Sequence, residues 1–544
     1  MQKAALASCA LLVLVSWRAP QGLAHADPTW QLKAVDQFLR GQSPTFNTLV
    51  QPDPRDLSQD DRRWIIWWPP GGPLLVLPWM AAGIPPGITL RLLVIACLVS
   101  GALGWTRWFA LFDLPPRWQL ALACLLPWMR YASSNVFLYS TEALVFGVTG
   151  WAPYLAWKLA SPHRPTELVQ QPPSKTRMLC FGLFLGSFFV LKYSAVVITV
   201  GVLAYLAALA LRRSGRGPLS AHWILAAGWA FPIVALSIVN LSLGSHANML
   251  SASAGLHWRV ENLLHAAVNP PLMLADAEAM AGYLLLDPTR SPFQHPLLKV
   301  ALGLPGACIA FWLAFRAPPL ETPEALARVI FGAAFLCLLL IWTLSPYPSF
   351  EARHFASPSI AALPLLLRRG LDRWRGPAAR PLVRPILALA AFGYILAPYL
   401  YGVATVAGKS IRTYPGELSP SRLYNPWIST LRQAGALRAL AAAFDPSGDV
   451  WYLPDPIHSL DLPGRAILRG PLFDSVATLK MERFCTSTPL RARVLLPNDF
   501  ETNQKGPVIR AAFPQARHWT SGAVPHSNYS LWTAELAGPC PPRQ

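Results

Sequence analysis

The sequence is poor in charge and lacks the short motifs of many soluble enzymes. Charged residues make up 13% of its 544 positions, against about 25% in soluble domains, so an ordinary soluble protein is excluded. No Cys-x-x-Cys pair occurs, which argues against a structural zinc site. No glycine-rich nucleotide loop and no internal repeat is present.

Acidic residues are scarcer than basic ones, 27 against 46, and the net charge is +19. Such a balance occurs in nucleic-acid-binding proteins, but here the basic residues concentrate between hydrophobic segments. This placement is the positive-inside pattern, which orients a membrane protein. We therefore predict membrane lipids, and no nucleic acid, as partners. The residues are Arg164, Lys175, Arg177, Arg212, Arg213, Arg216, Arg368, Arg369, Arg373, Arg375, Arg380 and Arg384.

Hydrophobic residues are abundant, at 53% of the chain, and a bilayer core about 30 Å thick needs about 20 of them per helix. With the N-terminus inside, the basic connectors fall on the cytoplasmic side and an odd number of spans places the C-terminus outside. We predict an α-helical polytopic membrane protein of about eleven spans. They are 4–17, 88–106, 118–135, 140–158, 178–191, 193–211, 222–241, 297–315, 329–345, 354–367 and 385–406.

The first span has a second interpretation. Lys3, the apolar run 4–15 and Ala24-His25-Ala26 also fit a cleavable signal peptide. Either interpretation leaves the loop that follows on the outer side.

The C-terminal region loses its membrane character. From 408 to 544, short apolar runs alternate with Pro, Gly and Asp, which predicts a small mixed α/β domain outside the cytoplasm. Residues 1–407, with outer loops 18–87 and 242–296, form the predicted membrane domain. Six of the eight cysteines lie in hydrophobic segments, and only Cys485 and Cys540 lie in the C-terminal region, where an outer location allows a disulfide between them.

The first outer loop carries an acidic residue at its start. Asp27 follows the first span and is a candidate general base for an acceptor hydroxyl or amine. Asp27-Pro28 also fits the start of a helix through Leu39, ended by Gly41. The two roles are compatible.

Further along this loop are four aspartates and a Trp-Trp-Pro-Pro-Gly turn. The aspartates suit oxygen-ligand metals, but they lack the spacing of a calcium loop and three arginines offset them, so an ion-paired, solvated loop is favoured. Trp67 and Trp68 fit an interfacial turn, or a platform on which a sugar ring stacks. The aspartates are Asp53, Asp56, Asp60 and Asp61, and the arginines Arg55, Arg62 and Arg63.

Two charged residues stand at predicted outer helix ends. Glu142 is a functional candidate because ionisable residues at the membrane are costly, with a helix-capping role as the alternative. Lys192, in the Lys192-Tyr193 turn, would meet an anionic headgroup or extend to water.

The segment 347–355 opens a predicted helix from the outer side and holds Glu351, Arg353 and His354. A helix N-terminus and a guanidinium together suit a phosphate. The alternative is an interfacial ion pair of Glu351 with Arg353. The loop 242–296 has histidines and acids at spacings that match no metal motif, so no ligand is assigned there.

Taken in order, these motifs resemble those of the C-type (GT-C) integral-membrane glycosyltransferases, which include protein O-mannosyltransferases and aminoarabinose transferases. The resemblance covers residues 1–406 in layout. It rests on Asp27, Gly41 to Pro44, Trp68 to Gly71, Ser140 to Leu144, Lys192-Tyr193 and Glu351 to Phe355 with Pro358 and Pro364.

The resemblance implies an enzyme of glycan biosynthesis in the bacterial cell envelope, in the inner membrane. Its donor would be a polyprenyl-phosphate-linked hexose or pentose, and its acceptor a lipid, glycan or protein. Asp27 matches the first-loop acid, whereas Arg353, His354 and Lys192 match the cations that hold the lipid phosphate. Many relatives carry two acids at the first-loop position, but Pro28 follows Asp27 here, so Asp36 or an acid of another loop is a candidate helper.

No cofactor is assigned, and a divalent metal stays open. Two other functions remain: a polymerase or ligase of lipid-linked glycans, and a transporter or flippase for a lipid-linked or small polar substrate. Transporters tend to carry internal repeats and ionisable residues midway through helices. Here no repeat is visible and the charges stand at helix ends, which disfavours transport.

Overall fold

The structure of the chain is a computed structural model. It describes residues 1–160 apart from 18, 20, 24, 25 and 67, then 174–213, 220–244, 320–343, 355–375, 419–424, 434–469 and 476–538 apart from 526, with isolated positions 308, 312, 403, 404 and 408. These residues belong to two compact units. The helical unit spans Met1–Trp17, Val94–Val136 and Thr141–Ile411, and the sheet unit spans Arg18–Leu93, Phe137–Ser140 and Arg412–Gln544.

Apolar helices make up the helical unit. Four helices of the described part are long and apolar enough to cross a membrane: Pro86–Phe109, Tyr193–Arg212, His222–Leu243 and Pro323–Leu340. The bounds of the helices are α1 Gln2–Ser16, α4 Pro86–Phe109 (whose first turns belong to the sheet unit), α5 Pro116–Leu125, α6 Arg130–Ser133, α7 Glu142–Thr149, α8 Trp151–Ala160, α9 Lys175–Leu191, α10 Val196–Arg213, α11 Ser220–Leu243, α12 Pro323–Thr343 and α13 Ala356–Arg375. Helices α2 and α3, which lie between α1 and α4 in the chain, belong to the sheet unit.

Two predicted spans are not single helices. The span predicted over 118–135 is divided among α5, a 3-10 turn Leu126–Trp128, α6 and a second turn Ser134–Val136. Pro127 lies in the first turn and lacks the N–H that would continue the helix. The span predicted over 140–158 is two helices that meet at Gly150, where a Cβ would lie 2.6 Å from the Trp105 backbone nitrogen. The spans 297–315 and 385–406 lie outside the described residues, so the number eleven stays a prediction.

Small residues let two helices approach closely. A Cβ on Gly182 of α9 would lie 2.4 Å from the Leu225 carbonyl oxygen of α11, and one on Gly186 would lie 2.3 Å from that of Trp229. Glycine at these positions allows the two backbones to pack closely. In a membrane such packing drives helix association, because lipid tails are as apolar as the side chains and the hydrophobic effect contributes little.

Helix α1 is packed into the helical unit. Ser8 Oγ donates a hydrogen bond to the Cys124 carbonyl oxygen (2.5 Å) and accepts one from Trp128 Nε1 (2.9 Å). Cleavage after α1 would remove both hydrogen bonds, together with the buried side chains of Ala5, Cys9 and Leu12. Helix α1 is therefore part of the helical unit's packing in this structure, and its cleavage stays a prediction.

Within the residues that the structure describes, the sheet unit contains three sheets. Parallel strands join in the order β4-β1-β5, β2 and β3 form an antiparallel hairpin, and five strands of mixed direction join in the order β7-β6-β8-β10-β9. The strands are β1 Gln21–Leu23, β2 Thr48–Asp53, β3 Asp56–Trp64, β4 Leu138–Tyr139, β5 Leu423–Tyr424, β6 Asp449–Leu453, β7 Ala466–Leu468, β8 Leu490–Pro497, β9 Ala516–Ala523 and β10 Tyr529–Leu536.

Helices of the sheet unit come from both ends of the chain. They are α2 Ala26–Leu39, α3 Gly71–Ala81, α14 Ala434–Ala442, α15 Val476–Leu479, α16 Asp499–Thr502 and α17 Lys505–Ala511. One apolar core contains Ala34 of α2, Leu49 of β2 and Trp451 of β6. The described part thus contains the small mixed α/β fold expected of the C-terminal region, and it includes the first loop, which the sequence analysis had placed with the membrane domain.

Candidate functional site

The helical unit holds a partly buried ion pair between two candidate residues. Glu142 is the first residue of α7, and Lys192 lies in the turn between α9 and the 3-10 helix Tyr193–Ala195. Lys192 Nζ donates a hydrogen bond to Glu142 Oε1 across 50 residues of sequence. The side chains are 14% and 6% exposed. The structure therefore joins two residues that the sequence analysis had treated separately.

Backbone geometry explains the position of Lys192. Its N–H donates to the Phe188 carbonyl oxygen (2.9 Å), which closes α9, and its own carbonyl accepts from the Ala195 N–H (2.9 Å). Between these bonds the residue is extended, with φ −163° and ψ 128°, so the chain changes direction there. The tight turn predicted at Lys192-Tyr193 is therefore present.

Glu142 does not make the capping box that was its alternative interpretation. Thr141 is the N-cap of α7, and its side chain makes no capping hydrogen bond. The carboxylate is instead engaged by Lys192. Lys192 thus provides a charge partner for the buried acid at this helix end.

A small pocket surrounds the ion pair. Its volume is about 10 Å³, on the order of one water molecule. Hydroxyl groups and apolar side chains share its lining, which also includes Tyr131, Val145, Thr149, Ser194, Ala195, Ile198, Ser357 and Pro358. Two of the hydroxyls, on Thr149 and Ser357, are hydrogen-bonded to each other at 3.0 Å.

This arrangement suits recognition of an anion. A buried lysine keeps its charge at low cost only while an opposite charge compensates it, and a phosphate oxygen can take the place of the carboxylate. Hydroxyls on the same wall can donate further hydrogen bonds to phosphate oxygens. The pocket thus brings a cation and hydroxyl groups to the same wall.

The other predicted phosphate residues are close in sequence to this pocket. Glu351, Arg353 and His354 lie outside the described residues, so their predicted roles stay predictions. The chain is described again from Phe355, which packs edge-to-face on Phe331 with ring centroids 5.0 Å apart. Ser357, four residues after Arg353, lines the pocket.

In the sheet unit, Asp27 lies in the first turn of α2. The helix begins at Ala26 and ends at Leu39, as predicted within one residue, and Gly41 follows with φ +71°, the left-handed conformation that often ends helices. Asp27 is therefore inside the helix rather than at its N-cap. Its assignment as a general base stays a prediction.

Asp36, the predicted helper, is engaged in ion pairs on α2. Its carboxylate lies 2.9 Å from Arg40 Nε and 3.4 Å from Lys33 Nζ. Lys33 was not singled out from the sequence, yet it is 7% exposed and donates to the Ser459 carbonyl oxygen at 2.8 Å. Burial lowers the pKa of Lys33, and Asp36 partly offsets this effect.

Two further polar residues of the same unit, one half-buried and one buried, escaped the sequence analysis. Asp461 accepts hydrogen bonds from the Ser421 N–H (2.7 Å) and Oγ (2.9 Å), and burial raises its pKa despite them. His458 is 3% exposed, with its ring 5.0 Å from that of Tyr529. The spacing of Asp455, His458 and Asp461, three residues apart, is the signal that would have drawn attention to this segment.

Trp68 packs against the sheet unit's own α2. Its ring lies edge-to-face on Trp30 with centroids 5.9 Å apart, and Gln31 Nε2 donates to the Pro69 carbonyl oxygen at 3.0 Å. These contacts give Trp68 a structural role beside its predicted role in stacking. Trp67 lies outside the described residues.

The acidic run is part of the β2–β3 hairpin rather than a loop. Asp60 pairs with Arg465 (2.9 Å) and Asp61 with Arg63. Burial acts to raise the pKa of Asp56, but the hydrogen bonds from Ser487 and Ser58 outweigh this effect and hold the pKa well below its usual value. In the described ranges no three His, Cys, Asp or Glu residues are grouped so as to hold a metal.

The structure describes one of the two cysteines of the predicted disulfide. Cys485 is disulfide-bonded, and its carbonyl oxygen accepts from the Leu57 N–H at 2.7 Å. Cys540 lies outside the described residues, so the pairing stays a prediction.

Comparisons with known proteins identify the fold. No family model matches the chain, and no curated protein matches it. Among solved structures it is similar to ArnT from Cupriavidus metallidurans bound to undecaprenyl phosphate, with TM-score 0.50 and 12% identity over 99% of this chain and 98% of that one. The apo state of the same protein gives TM-score 0.49 and 14% identity, over 98% of each chain. ArnT is an aminoarabinose transferase of the GT-C class, so the resemblance predicted from the sequence is confirmed at the level of the fold.

Proposed function

We propose that this protein is a membrane glycosyltransferase that moves a sugar from a polyprenyl-phosphate-linked donor to an acceptor on the non-cytoplasmic face. The observation that carries the proposal is the partly buried Glu142–Lys192 pair with its hydroxyl-lined pocket. It occurs in a chain whose fold resembles that of an enzyme crystallised with undecaprenyl phosphate. A hexose and a pentose are both open as the transferred sugar.

Lys192 is the proposed phosphate-binding cation, together with Arg353 and His354. In transfer, the acceptor oxygen or nitrogen bonds to the anomeric carbon while the bond from that carbon to the phosphate oxygen breaks. The electron pair leaves with the lipid phosphate, and cations stabilise the charge that develops there. Asp27 is the proposed base that takes the acceptor proton.

Glu142 is proposed to keep Lys192 charged and in place between turnovers. The pocket has room for about one water, so a phosphate that binds Lys192 must displace the carboxylate as its partner. This exchange limits the cost of holding a buried cation, because Lys192 has an anionic partner in both states. Glu142 is thus a positioning residue for the phosphate site.

The test is transfer from a panel of radiolabelled polyprenyl-phosphate sugars by purified protein in lipid. Wild type should consume one donor, which names the sugar. Asp27→Asn should lower kcat with little change in KM, and Lys192→Met should lower kcat/KM. Lys175→Met, an exposed lysine at the start of α9, is the matched control and should act like wild type.

Two outcomes would contradict the proposal. If no donor is consumed when native lipid and glycan acceptors are supplied, a ligase or a transporter becomes the better interpretation. If well-folded Asp27→Asn and Lys192→Met proteins turn over the donor at the wild-type rate, the assigned roles are wrong even though the enzyme class stands.

A further inference from the structure

A second pocket in the helical unit lies where three helix ends meet, away from the Glu142–Lys192 pair. Its volume is about 760 Å³. Lys3 comes from the first turn of α1, Arg107 from the last turn of α4 and Lys158 from the last turn of α8. All three basic residues line the pocket, and none of its lining residues is acidic.

The positions of these residues place the pocket at one membrane surface. Helix α4 is long and apolar enough to span a bilayer, and Arg107 lies in its last turn. The positive-inside pattern assigns this end, like the start of α1 and the end of α8, to the cytoplasmic face. Three cations therefore stand at the depth of the inner-leaflet headgroups.

Two of the three cations, Arg107 and Lys158, are held by aromatic rings rather than by carboxylates. The Arg107 guanidinium lies 5.0 Å from the Trp151 ring centroid and 5.7 Å from that of Tyr154. Lys158 Nζ lies 5.9 Å from the Tyr154 centroid. Cation–π contacts position a cation while leaving its N–H groups free to donate. Neither residue has an ion pair in the described part of the chain.

The remaining lining is suited to a lipid. Ala110, Leu111 and the ring of Tyr154 give an apolar wall beside the cations. A phosphate diester accepts a bidentate pair of hydrogen bonds from a guanidinium and further bonds from ammonium groups. A soluble anion would gain nothing from an apolar wall, whereas a phospholipid would place its glycerol and upper acyl carbons there.

We propose that this pocket binds the phosphate of an anionic phospholipid of the cytoplasmic leaflet. Arg107 forms the bidentate contact with the phosphate, and Lys3 and Lys158 supply flanking charge. Such a site would anchor α1, α4 and α8 to the inner leaflet and make stability depend on lipid charge. It is independent of the proposed transfer reaction.

The test is titration of the purified full chain in detergent with phosphatidylglycerol, phosphatidylcholine or inorganic phosphate, read by native mass spectrometry and by the thermal midpoint. Phosphatidylglycerol should bind in preference to phosphatidylcholine and raise the midpoint. Arg107→Gln should weaken its binding by on the order of 10-fold. Arg177→Gln, an exposed arginine of α9, is the matched control and should bind as wild type does.

The double variant Lys3→Gln/Lys158→Gln is a second test in case Arg107→Gln does not fold, because both lysines are exposed and their replacement should not disturb packing. It should also weaken phosphatidylglycerol binding. Unchanged phosphatidylglycerol affinity in this variant and in Arg107→Gln would overturn the proposal. Equal midpoint shifts with inorganic phosphate and with phosphatidylglycerol would overturn the lipid assignment, since free phosphate would then account for the site.

Discussion

Two lysines shielded from solvent, one in each unit, differ in what surrounds them: Lys33 is buried and Lys192 is partly buried. Lys33 of the sheet unit reaches a backbone carbonyl oxygen and the carboxylate of Asp36. Lys192 of the helical unit reaches the carboxylate of Glu142, beside a pocket lined by hydroxyls. A backbone carbonyl held in the fold cannot be exchanged for a ligand, whereas a side-chain carboxylate at a pocket can. We therefore expect the partners of a cation, rather than its burial, to distinguish the proposed functional lysine from the structural one.

The sharpest way to break this comparison is Lys192→Met. We expect kcat/KM for the lipid-linked donor to fall by about 10²–10³-fold, the loss typical when one charge-stabilising donor is removed. The double variant Glu142→Gln/Lys192→Met is the control, because it removes the uncompensated buried carboxylate as well. Activity restored in the double variant would show that the pair serves stability alone.

A second test concerns a buried acid of the sheet unit, as a structural counterpart to Glu142. Asp449 lies between Arg491 and Arg493, at 2.5 and 2.6 Å from their Nε atoms. Asp449→Asn should destabilise the protein by about 3 kcal/mol, because it leaves buried Arg493 without its charge partner. Urea unfolding of the purified protein measures the loss, and transfer per folded molecule should change little.

The pH dependence of stability gives the same residue a further signature. Burial acts to raise the pKa of Asp449, but the bonds to the arginines outweigh this effect and hold the pKa below its usual value of 3.8. A folded-state pKa below the unfolded one gives stability that is present above pH 3.8 and is lost as the pH falls through the folded value. Asp449→Asn should flatten the unfolding profile in that acidic window. An unchanged slope would assign the acid sensitivity to other carboxylates.

Lys33→Met should have a smaller effect, and on stability rather than transfer. We expect a loss of about 1.5–3 kcal/mol, the range for hydrogen bonds of charged groups, since Asp36 keeps Arg40 as a partner. Lys480→Met, an exposed lysine of the same unit, is the control in the urea experiment. A fall in kcat/KM as large as that of Lys192→Met would remove the distinction between the two lysines.

The smallest expected effect is that of Trp68→Phe. An edge-to-face aromatic pair contributes about 0.5–1.5 kcal/mol, and phenylalanine can keep part of the contact with Trp30. We expect a stability loss within that range and an unchanged KM for the donor. A clear rise in KM without loss of stability would favour a stacking role of Trp68 on the sugar.

Local features were predicted well from the sequence. Helix α2 was expected to end at Leu39, before Gly41, and it does. Glycine has no Cβ and adopts the left-handed conformation that ends a helix. The turn at Lys192 was expected between two apolar runs and is present. The span expected over 118–135 is divided at Pro127 into short helices.

Contacts between distant segments could not be predicted. Glu142 and Lys192 were each singled out, but nothing in a single sequence indicates that residues 50 positions apart form an ion pair. Lys33 gave no signal, because a lysine on an amphipathic helix is usually exposed. The roles of Asp27, Arg353 and His354 come from the family resemblance and stay predictions.

By itself, the sequence determined that this chain belongs in a membrane, and where helices such as α2 and α9 end, because hydropathy and turn chemistry act over a few adjacent residues. Only the tertiary structure decided that the first loop shares a unit with the C-terminal region and which buried charges meet. Those outcomes depend on packing between segments far apart in the chain, where the energy of a buried charge is set by the partner that packing brings to it.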